Sequence, residues 1–315
     1  MVLHVDTAPG DTGGHPPEES MAEPVFITLP LLPPAAGGPV DVGGGARSAK
    51  RRHRRWPWIV GPLVILLLVG AGVTWLTASK AAPVTLRQAE LRLGSSATGA
   101  PGATRPAPGV YQYTGTGTER LSLPPLSQAE GPSIPGTVTL RGSNCFVFRV
   151  DYSTHHWQTW EYCLHSGDLW EAGGQSWQLW SIGPINVTNL SSFTCAPHSM
   201  ALPAKASLDA WWLSSCTGTN SAVKGRTVSA GPYQFKGLTT ISVGGTPVQA
   251  AHFLRLRTDS GAQRGTERSE VWFATTTGLP LRVQQDIKVS SPTPFGTSTY
   301  HQAGVFVLTS LHPQH

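Results

Sequence analysis

The sequence lacks the motifs of the common enzyme classes. No GxSxG, HExxH, GxxxxGK(S/T), GxGxxG or EF-hand pattern occurs in its 315 residues, so the usual signatures of hydrolases, zinc proteases, nucleotide-binding proteins and calcium-binding proteins are absent. Charge is also scarce, since Asp, Glu, Lys and Arg make up only 13% of the chain. We therefore predict a protein that is not an enzyme and that carries no cofactor.

Positive charge is missing from the first 46 residues, which contain six acids and no Lys or Arg, whereas residues 47–55 contain six bases. Such a cluster either binds the phosphates of nucleic acids or anchors a membrane segment among lipid headgroups. Because it directly precedes a hydrophobic run, its position favours the membrane as partner and argues against nucleic acid. The six bases are Arg47, Lys50, Arg51, Arg52, Arg54 and Arg55.

The hydrophobic run, residues 56–77, contains 22 residues and no charge. As a helix it would be roughly 33 Å long, enough to cross a hydrocarbon core of about 30 Å. Trp56 and Trp58 at one end and Trp75 at the other are placed for the two interfaces. The alternative is a signal peptide cleaved after Ala81, but the 55 residues before the run disfavour it.

The span and the basic cluster predict a single-pass plasma-membrane protein with a cytoplasmic N-terminus and an extracytoplasmic C-terminal domain. We predict that residues 1–55 are a disordered tail, since the first 46 hold eight Pro and eight Gly without a sustained hydrophobic period. Residues 78–109 are rich in Gly, Pro and Ala and predict a flexible stalk. Residues 110–312 form the outer domain.

The outer domain has the sequence pattern of an antiparallel β-sheet. Short runs rich in Val, Thr, Tyr, Phe and Trp alternate with turn residues every eight to twelve positions. We predict an all-β fold, a curved antiparallel sheet or half-barrel. Besides the hairpin described next, the predicted strands are 110–118, 136–141, 175–182, 238–243, 248–258, 267–275, 279–290 and 298–309.

A hairpin between Cys145 and Cys163 is the clearest element. If the chain reverses around Thr154, the two cysteines face each other and aromatic residues pair across the strands on the opposite face. Since both pairings agree in one register, we predict a Cys145–Cys163 disulfide, which leaves Cys195 to pair with Cys216. The aromatic residues, which are candidates for a core or ligand-facing surface, are Phe146, Phe148, Trp160 and Tyr162.

A metal site and a sugar-binding surface are two alternative interpretations of the outer domain. His155, His156 and His165 lie near Cys163 in sequence, but their spacing fits no zinc motif, so we predict no metal site. Eight indoles could stack on cell-wall sugars, although core packing is favoured, and Trp157, opposite the core face of the hairpin, is the best surface candidate. These indoles are Trp157, Trp160, Trp170, Trp177, Trp180, Trp211, Trp212 and Trp272.

The stretch from Val243 to Val289 resembles the C-terminal half of the lipoprotein-carrier (LolA-like) proteins of bacterial envelopes. In that family a strand ending in an aromatic residue is followed by a turn and a TGLPLR-like segment, and the resemblance covers about a fifth of this chain. It implies a curved antiparallel half-barrel whose concave face holds acyl chains. The matching residues are Trp272, Phe273, Gly278, Leu279, Pro280, Leu281 and Arg282.

These observations predict a membrane-anchored extracytoplasmic module that binds a lipid or another apolar ligand. The alternatives are an envelope scaffold or wall-binding protein and a hydrolase without a known motif. The low Lys content and the richness in Ala, Gly, Pro and Arg are typical of high-GC bacteria such as actinobacteria, for which the exterior is the cell envelope. An apolar cavity would favour the first function, an exposed row of Trp the second, and converging His, Asp or Ser the third.

Overall fold

The computed structural model describes residues 80–94, 105–197, 199–294 and 296–314. These residues form one short helix and an antiparallel sheet of fourteen strands. The helix is α1 (Leu86–Leu93), and the strands are β1 (Gly109–Ser122), β2 (Pro125–Glu130), β3 (Ser133–Arg141), β4 (Cys145–Ser153), β5 (His156–His165), β6 (Asp168–Ile182), β7 (Ile185–Cys195), β8 (Met200–Leu202), β9 (Trp211–Asn220), β10 (Val223–Val243), β11 (Thr246–Gly261), β12 (Arg264–Ala274), β13 (Pro280–Thr293) and β14 (Gly296–Leu308).

The sheet closes into a barrel because β1 pairs with β3 on one side and with the last strand, β14, on the other. The seam runs from the Tyr113–Leu308 pair to the Leu121–Tyr300 pair. Twelve strands complete the ring, while β2 pairs with β1 and β8 pairs with β6. The predicted open half-barrel is thus corrected to a closed barrel, in which the first and last strands leave no free edge between them.

The predicted strands all lie within strands of the structure, to within one residue at their ends. Sequence analysis missed β2, β7, β8, β9 and the first half of β10. Of these, β7 and β9 are rich in Ser, Thr, Asn and Gly, which are the residues that ordinarily indicate turns. Their strand conformation comes from pairing with long neighbours, because backbone hydrogen bonds do not depend on the side chain.

Antiparallel connections place alternate turns at opposite ends of the barrel. The turns that follow β1, β4, β6, β9, β11 and β13 lie at one end, and those that follow β3, β5, β10 and β12 lie at the other. We call five of the turns at the first end the rim, which comprises residues 122–125, 181–186, 220–226, 260–264, 290–294 and 296–297.

The other end of the barrel is filled by an aromatic core. Tyr113 lies against Phe148 and Phe306, with ring centroids 5.8 and 5.5 Å apart. Phe253 and Phe273 enter from the opposite wall, 6.1 Å apart. Side chains of this size from facing strands fill the interior of the barrel and close this end.

The β4–β5 hairpin has the register that the sequence predicts. Cys145 faces Cys163, Phe146 faces Tyr162 and Phe148 faces Trp160. Both predicted disulfides, Cys145–Cys163 and Cys195–Cys216, are present. The aromatic face points into the barrel, and Phe148 stacks on Trp160 with ring centroids 5.9 Å apart.

Residues 80–94 pack against the outside of the barrel. Thr85 and Gln88 form a capping box at the start of α1, and Ala89 is buried. Ahead of the helix, Thr154 in the β4–β5 turn donates its backbone N–H to the carbonyl of Ala82 at 2.7 Å and accepts the Ala82 N–H on its hydroxyl at 3.0 Å. The predicted flexible stalk is therefore wrong over Leu86–Leu93, which form a short capped helix. Sequence analysis missed it because the stalk was predicted from the overall Gly, Pro and Ala content of residues 78–109.

The predicted membrane segments lie outside the described residues. This applies to the tail 1–55, to the span 56–77, and to the anchor residues Arg51, Arg52, Arg54, Arg55, Trp56, Trp58 and Trp75. Within the described ranges, no helix has both the length and the apolar character that a membrane crossing requires.

Candidate functional site

A cavity of about 360 Å³ occupies the lumen beneath the rim. Its volume lies within the range of about 300 to 1,000 Å³ that is usual for small-molecule sites. The alternation of side chains along β6, β7, β11 and β13 sends every second residue into the lumen, where the aromatic core no longer fills the space. The cavity therefore begins where large aromatic residues give way to smaller and polar ones.

The apolar part of the cavity lies mainly near the rim. Ile182 and Val187 line it beside the β6–β7 turn, and Leu123 lines it at the β1–β2 turn. Deeper positions include polar residues, since Gln178 lies below Trp180 and Ile182 along β6, and Asn189 and Ser191 lie below Val187 along β7. The lumen thus has an apolar entrance and a polar floor.

Four charged residues, all of them largely shielded from solvent, make up part of the floor. Glu171 on β6 accepts hydrogen bonds from Arg255 at 3.3 Å and from Arg257 at 2.8 Å. Arg255 also pairs with Glu267 on β12, and Arg257 donates to the Ser214 hydroxyl at 2.9 Å. Burial alone would lower the pKa of Arg255, but Glu267 and Glu171 outweigh it and raise that pKa. Two guanidinium groups and two carboxylates therefore balance in charge.

Three polar atoms of cavity-lining residues are buried without a hydrogen-bond partner. They are Nε of Arg255, Nε of Arg257 and Oδ1 of Asn189. Leaving a buried donor or acceptor unpaired costs about 1–3 kcal/mol each. Because all three residues line one cavity, a polar group bound there could relieve part of this cost.

A second buried cluster joins β1, β2 and β5. The Nδ1 atom of His156 lies 2.7 Å from a carboxylate oxygen of Glu119 and 3.3 Å from one of Glu130. Tyr300 donates its hydroxyl to Glu119 at 2.7 Å, and Gln302 donates its amide to Glu130 at 2.6 Å. Each member thus has a hydrogen-bond partner inside the barrel.

Electrostatics fix the protonation state of this cluster. Burial would lower the pKa of His156, but the carboxylates of Glu119 and Glu130 outweigh it and raise that pKa to about 9. Burial raises the pKa of Glu130, whereas for Glu119 the contacts with His156 overcome burial and lower it. At neutral pH His156 is therefore an imidazolium that donates to the Glu119 carboxylate.

The cluster combines residue types that are found in metal sites and in hydrolases. Glu119, Glu130 and His156 could each offer one atom to a cation. On its other side, His156 Nε2 lies 3.2 Å from the hydroxyl of Ser176, which lines the cavity, so a serine, a histidine and a carboxylate stand in line. With a pKa of about 9, the His156 imidazolium accepts no proton from Ser176 at neutral pH, and a cation would have to displace the proton of His156 to bind there.

The predicted ligand-facing residues separate in the structure. Trp160 lines the cavity, whereas Phe146, Phe148 and Tyr162 lie in the aromatic core and are not part of the cavity wall. For Phe146 and Tyr162 the physical reason is depth along the strand, because the hairpin extends into the closed end, whereas Phe148 lies level with Trp160 and packs against Tyr113. Trp157 lies on the outer face, as predicted, but stacks on Trp177 at 6.3 Å.

Sequence analysis missed the charged floor, although a signal for it was available. Along β11, Phe253, Arg255, Arg257 and Asp259 occupy one face of the strand. Since Phe253 belongs to the core, the two arginines must also point inward. The cluster around His156 had no comparable signal, because Glu119 and Glu130 are far from it in sequence.

Comparison with known proteins finds similarity only to distant solved structures. No protein-family model and no curated protein matches the chain. The crystal structure of the hypothetical lipoprotein YmcC from Escherichia coli (K12) is similar over 73% of this chain and 100% of that chain, with 10% sequence identity and a TM-score of 0.30. A TM-score this low does not establish a common fold, so the barrel rests on its own strand pairings.

Proposed function

We propose that this protein is a membrane-anchored, extracytoplasmic binding module that holds an amphipathic, lipid-like ligand in the lumen of its barrel. The observation that carries the proposal is the layered cavity, in which Ile182 and Val187 line an apolar entrance above a floor formed by Arg255 and Glu171. Such a gradient suits a molecule with an apolar part directed to the rim and a polar part directed to the floor.

The charge balance of the floor favours an uncharged polar group on the ligand. Arg255 and Arg257 are already neutralised by Glu171 and Glu267, so an anion would add unbalanced charge to a buried site. Asn189 and the two Nε atoms supply unpaired acceptor and donor positions. Hydroxyl, amide or ester groups match these positions, because they form hydrogen bonds without carrying charge.

The membrane anchor and the orientation belong to the same proposal. They are supported by the uncharged stretch 56–77 and by the six bases that precede it. Protease added to intact cells should degrade the barrel and spare the tail. Protection of the barrel together with loss of the tail would contradict the orientation.

Native mass spectrometry of the full-length protein in mild detergent tests ligand binding. We expect a co-purified small amphipathic molecule bound to the wild-type chain. Val187→Trp should abolish the bound species, since Val187 lines the cavity. The matched control is Val228→Trp at an exposed position of β10, which should retain it. Equal occupancy in both variants, or none in the wild type, would refute the proposal.

Two specific observations support alternative functions. The row of Ser176, His156 and Glu119 is the arrangement expected of a hydrolase, although the protonated histidine argues against it. On the outer face, Trp157 stacks on Trp177 and also carries the guanidinium of Arg149 4.3 Å above its ring, a surface on which a sugar could stack. Binding to insoluble cell wall, lost in Trp157→Ala, would support this sugar-binding alternative.

A further inference from the structure

The rim exposes apolar side chains where a water-soluble surface would be polar. Leu123 and Ile182 are each 38% exposed, Val187 is 41% exposed and Ile185 is 62% exposed. Leu123, Ile182 and Ile185 belong to two turns of the rim, and Val187 lies on β7 next to one of them, beside the entrance of the cavity. A group of exposed apolar residues at a ligand entrance indicates a surface that another apolar phase covers.

The charges of the rim have a single sign. None of the residues that make up the rim is Asp or Glu, and its three charged residues are Lys224, Arg226 and Arg264, all of them exposed. The opposite end carries both signs, with Asp168 and Lys205 among its exposed or half-exposed residues. Apolar side chains together with basic ones are the combination that binds an anionic lipid surface.

The connection to the predicted span brings the same end of the barrel to the membrane. Ala82 is hydrogen-bonded to Thr154 in the β4–β5 turn, and Thr77, the last residue of the predicted span, lies only five positions before Ala82. Five extended residues reach at most about 17 Å. If residues 56–77 span the bilayer as predicted, the barrel is tied to it by a short connection on its rim side.

The reach of this connection matches the position of the rim. His156, at the start of β5, pairs with Gln178, which lies four residues before Ile182 at the rim. Four strand residues span about 13 Å, which is within the reach of the connection. The closed end lies at the far end of β5, roughly 30 Å in the other direction and beyond that reach.

From these observations we propose that the rim docks onto the lipid bilayer and opens the cavity toward it. Ile182 and Ile185 enter the interface between headgroups and acyl chains, while Lys224 and Arg264 contact anionic headgroups. This inference rests on the proposed function for the membrane anchor and for its consequence, the entry of a membrane-derived ligand, but not for the binding of a ligand itself. The docking itself depends on the rim and on its connection to the span.

A fluorescent label that reports on lipid tests the docking. Because the two disulfides use all described cysteines, Ile185→Cys adds one free thiol, which can carry a polarity-sensitive dye on the full-length chain in vesicles. We expect its emission to shift to the blue and to be quenched by brominated phospholipid. The matched control is a label on Thr246→Cys, exposed at the closed end, which should show neither effect.

A charge variant separates docking from simple tethering. In vesicles that contain phosphatidylglycerol, Lys224→Glu with Arg264→Glu should weaken the quenching at position 185, whereas Lys205→Glu at the closed end should not. Quenching at position 246 but not at 185, or at neither, would overturn the proposal. Cross-linking of two chains through the thiols introduced at position 185, without lipid quenching, would assign the rim to a second copy instead.

The two proposals fail in different ways. Lipid quenching at position 185 without any co-purified ligand would retain the docking and reject the binding function. A retained ligand with an unquenched rim label would retain the binding function and reject the docking.

Discussion

The hydroxyl of Ser176 lies 3.2 Å from Nε2 of His156, at the boundary between the cavity and the barrel wall. In a hydrolase such a histidine would be neutral and would accept the serine proton. Here Glu119 and Glu130 both face the opposite nitrogen, and the pKa of His156 is about 9. This arrangement therefore stabilises His156 as an imidazolium cation, which cannot act as a general base.

We expect Ser176 to be unreactive at neutral pH. A fluorophosphonate probe should not label the full-length protein at pH 7, because His156 is protonated there and cannot deprotonate the hydroxyl. Ser176 also lies in the middle of β6, between Gln158 of β5 and Ser191 of β7, so it is not on a turn of the kind that presents free backbone N–H groups to an oxyanion. Labelling that disappears in Ser176→Ala would establish the hydrolase alternative.

Stability should fall as the pH rises from about 6.5 to about 9. The pKa of His156 is raised from 6.5 to about 9 on folding, so its contribution is complete below 6.5 and is lost as the pH passes through 9. A shift of this size corresponds to about 3 kcal/mol.

Urea unfolding followed by Trp fluorescence at several pH values measures this dependence. His156→Gln keeps a polar side chain beside Glu119 but removes the titrating group, and should flatten the curve between pH 6.5 and 9. His301→Gln is the control, since that imidazole pairs with Asp286 on the outer surface. An unchanged pH dependence in His156→Gln would assign the effect to other groups.

Removing one partner of the floor cluster should be strongly destabilising. Arg257→Ala leaves Glu171 with less compensation in a buried site, and loss of one member of a buried pair typically costs about 3–5 kcal/mol. Arg268→Ala, which breaks an exposed pair with Glu270, should cost less than about 1 kcal/mol. Equal effects of the two substitutions on the free energy of unfolding would mean that the floor is solvated.

The two faces of the β4–β5 hairpin should differ in stability. Trp160 is 6% exposed and stacks on Phe148, so Trp160→Ala should cost about 3–5 kcal/mol. Trp157 is only half-buried on the outer face, and Trp157→Ala should cost far less. The measurement is the denaturant concentration at which each variant is half unfolded, compared between transitions that have the same m-value. Similar losses would mean that the outer stack on Trp177 is as important as the core.

Much of the fold could be predicted wherever a local period was present. The register of Phe148 and Trp160 follows from two-residue alternation combined with one chain reversal, and the position of Cys145 opposite Cys163 follows from the same register. The β12–β13 turn and the buried Phe273 beside it also lie where the resemblance places them. By contrast, β7 could not be predicted because its side chains carry no strand pattern.

Sequence analysis could predict little of the candidate site. Trp160 and Tyr162 lie at different depths along β5, one lining the cavity and the other in the aromatic core, and alternation gives the face of a residue but not its depth. His156 meets Glu119 and Glu130 inside the barrel although β4 and β3 lie between β5 and β1 in the sheet. Because these three residues are far apart along the chain, no sequence period indicates that they meet.

The sequence by itself determined the all-β character of the domain and the register of the Cys145–Cys163 hairpin, with its disulfide and its inward aromatic face. These are local properties, because side-chain alternation and cysteine register depend on residues within one hairpin. Only the tertiary structure decided that Tyr113 pairs with Leu308, which closes the barrel and creates a lumen. Closure depends on which distant edges meet, and the hydrogen bonds that join them are made by backbone groups common to all residues.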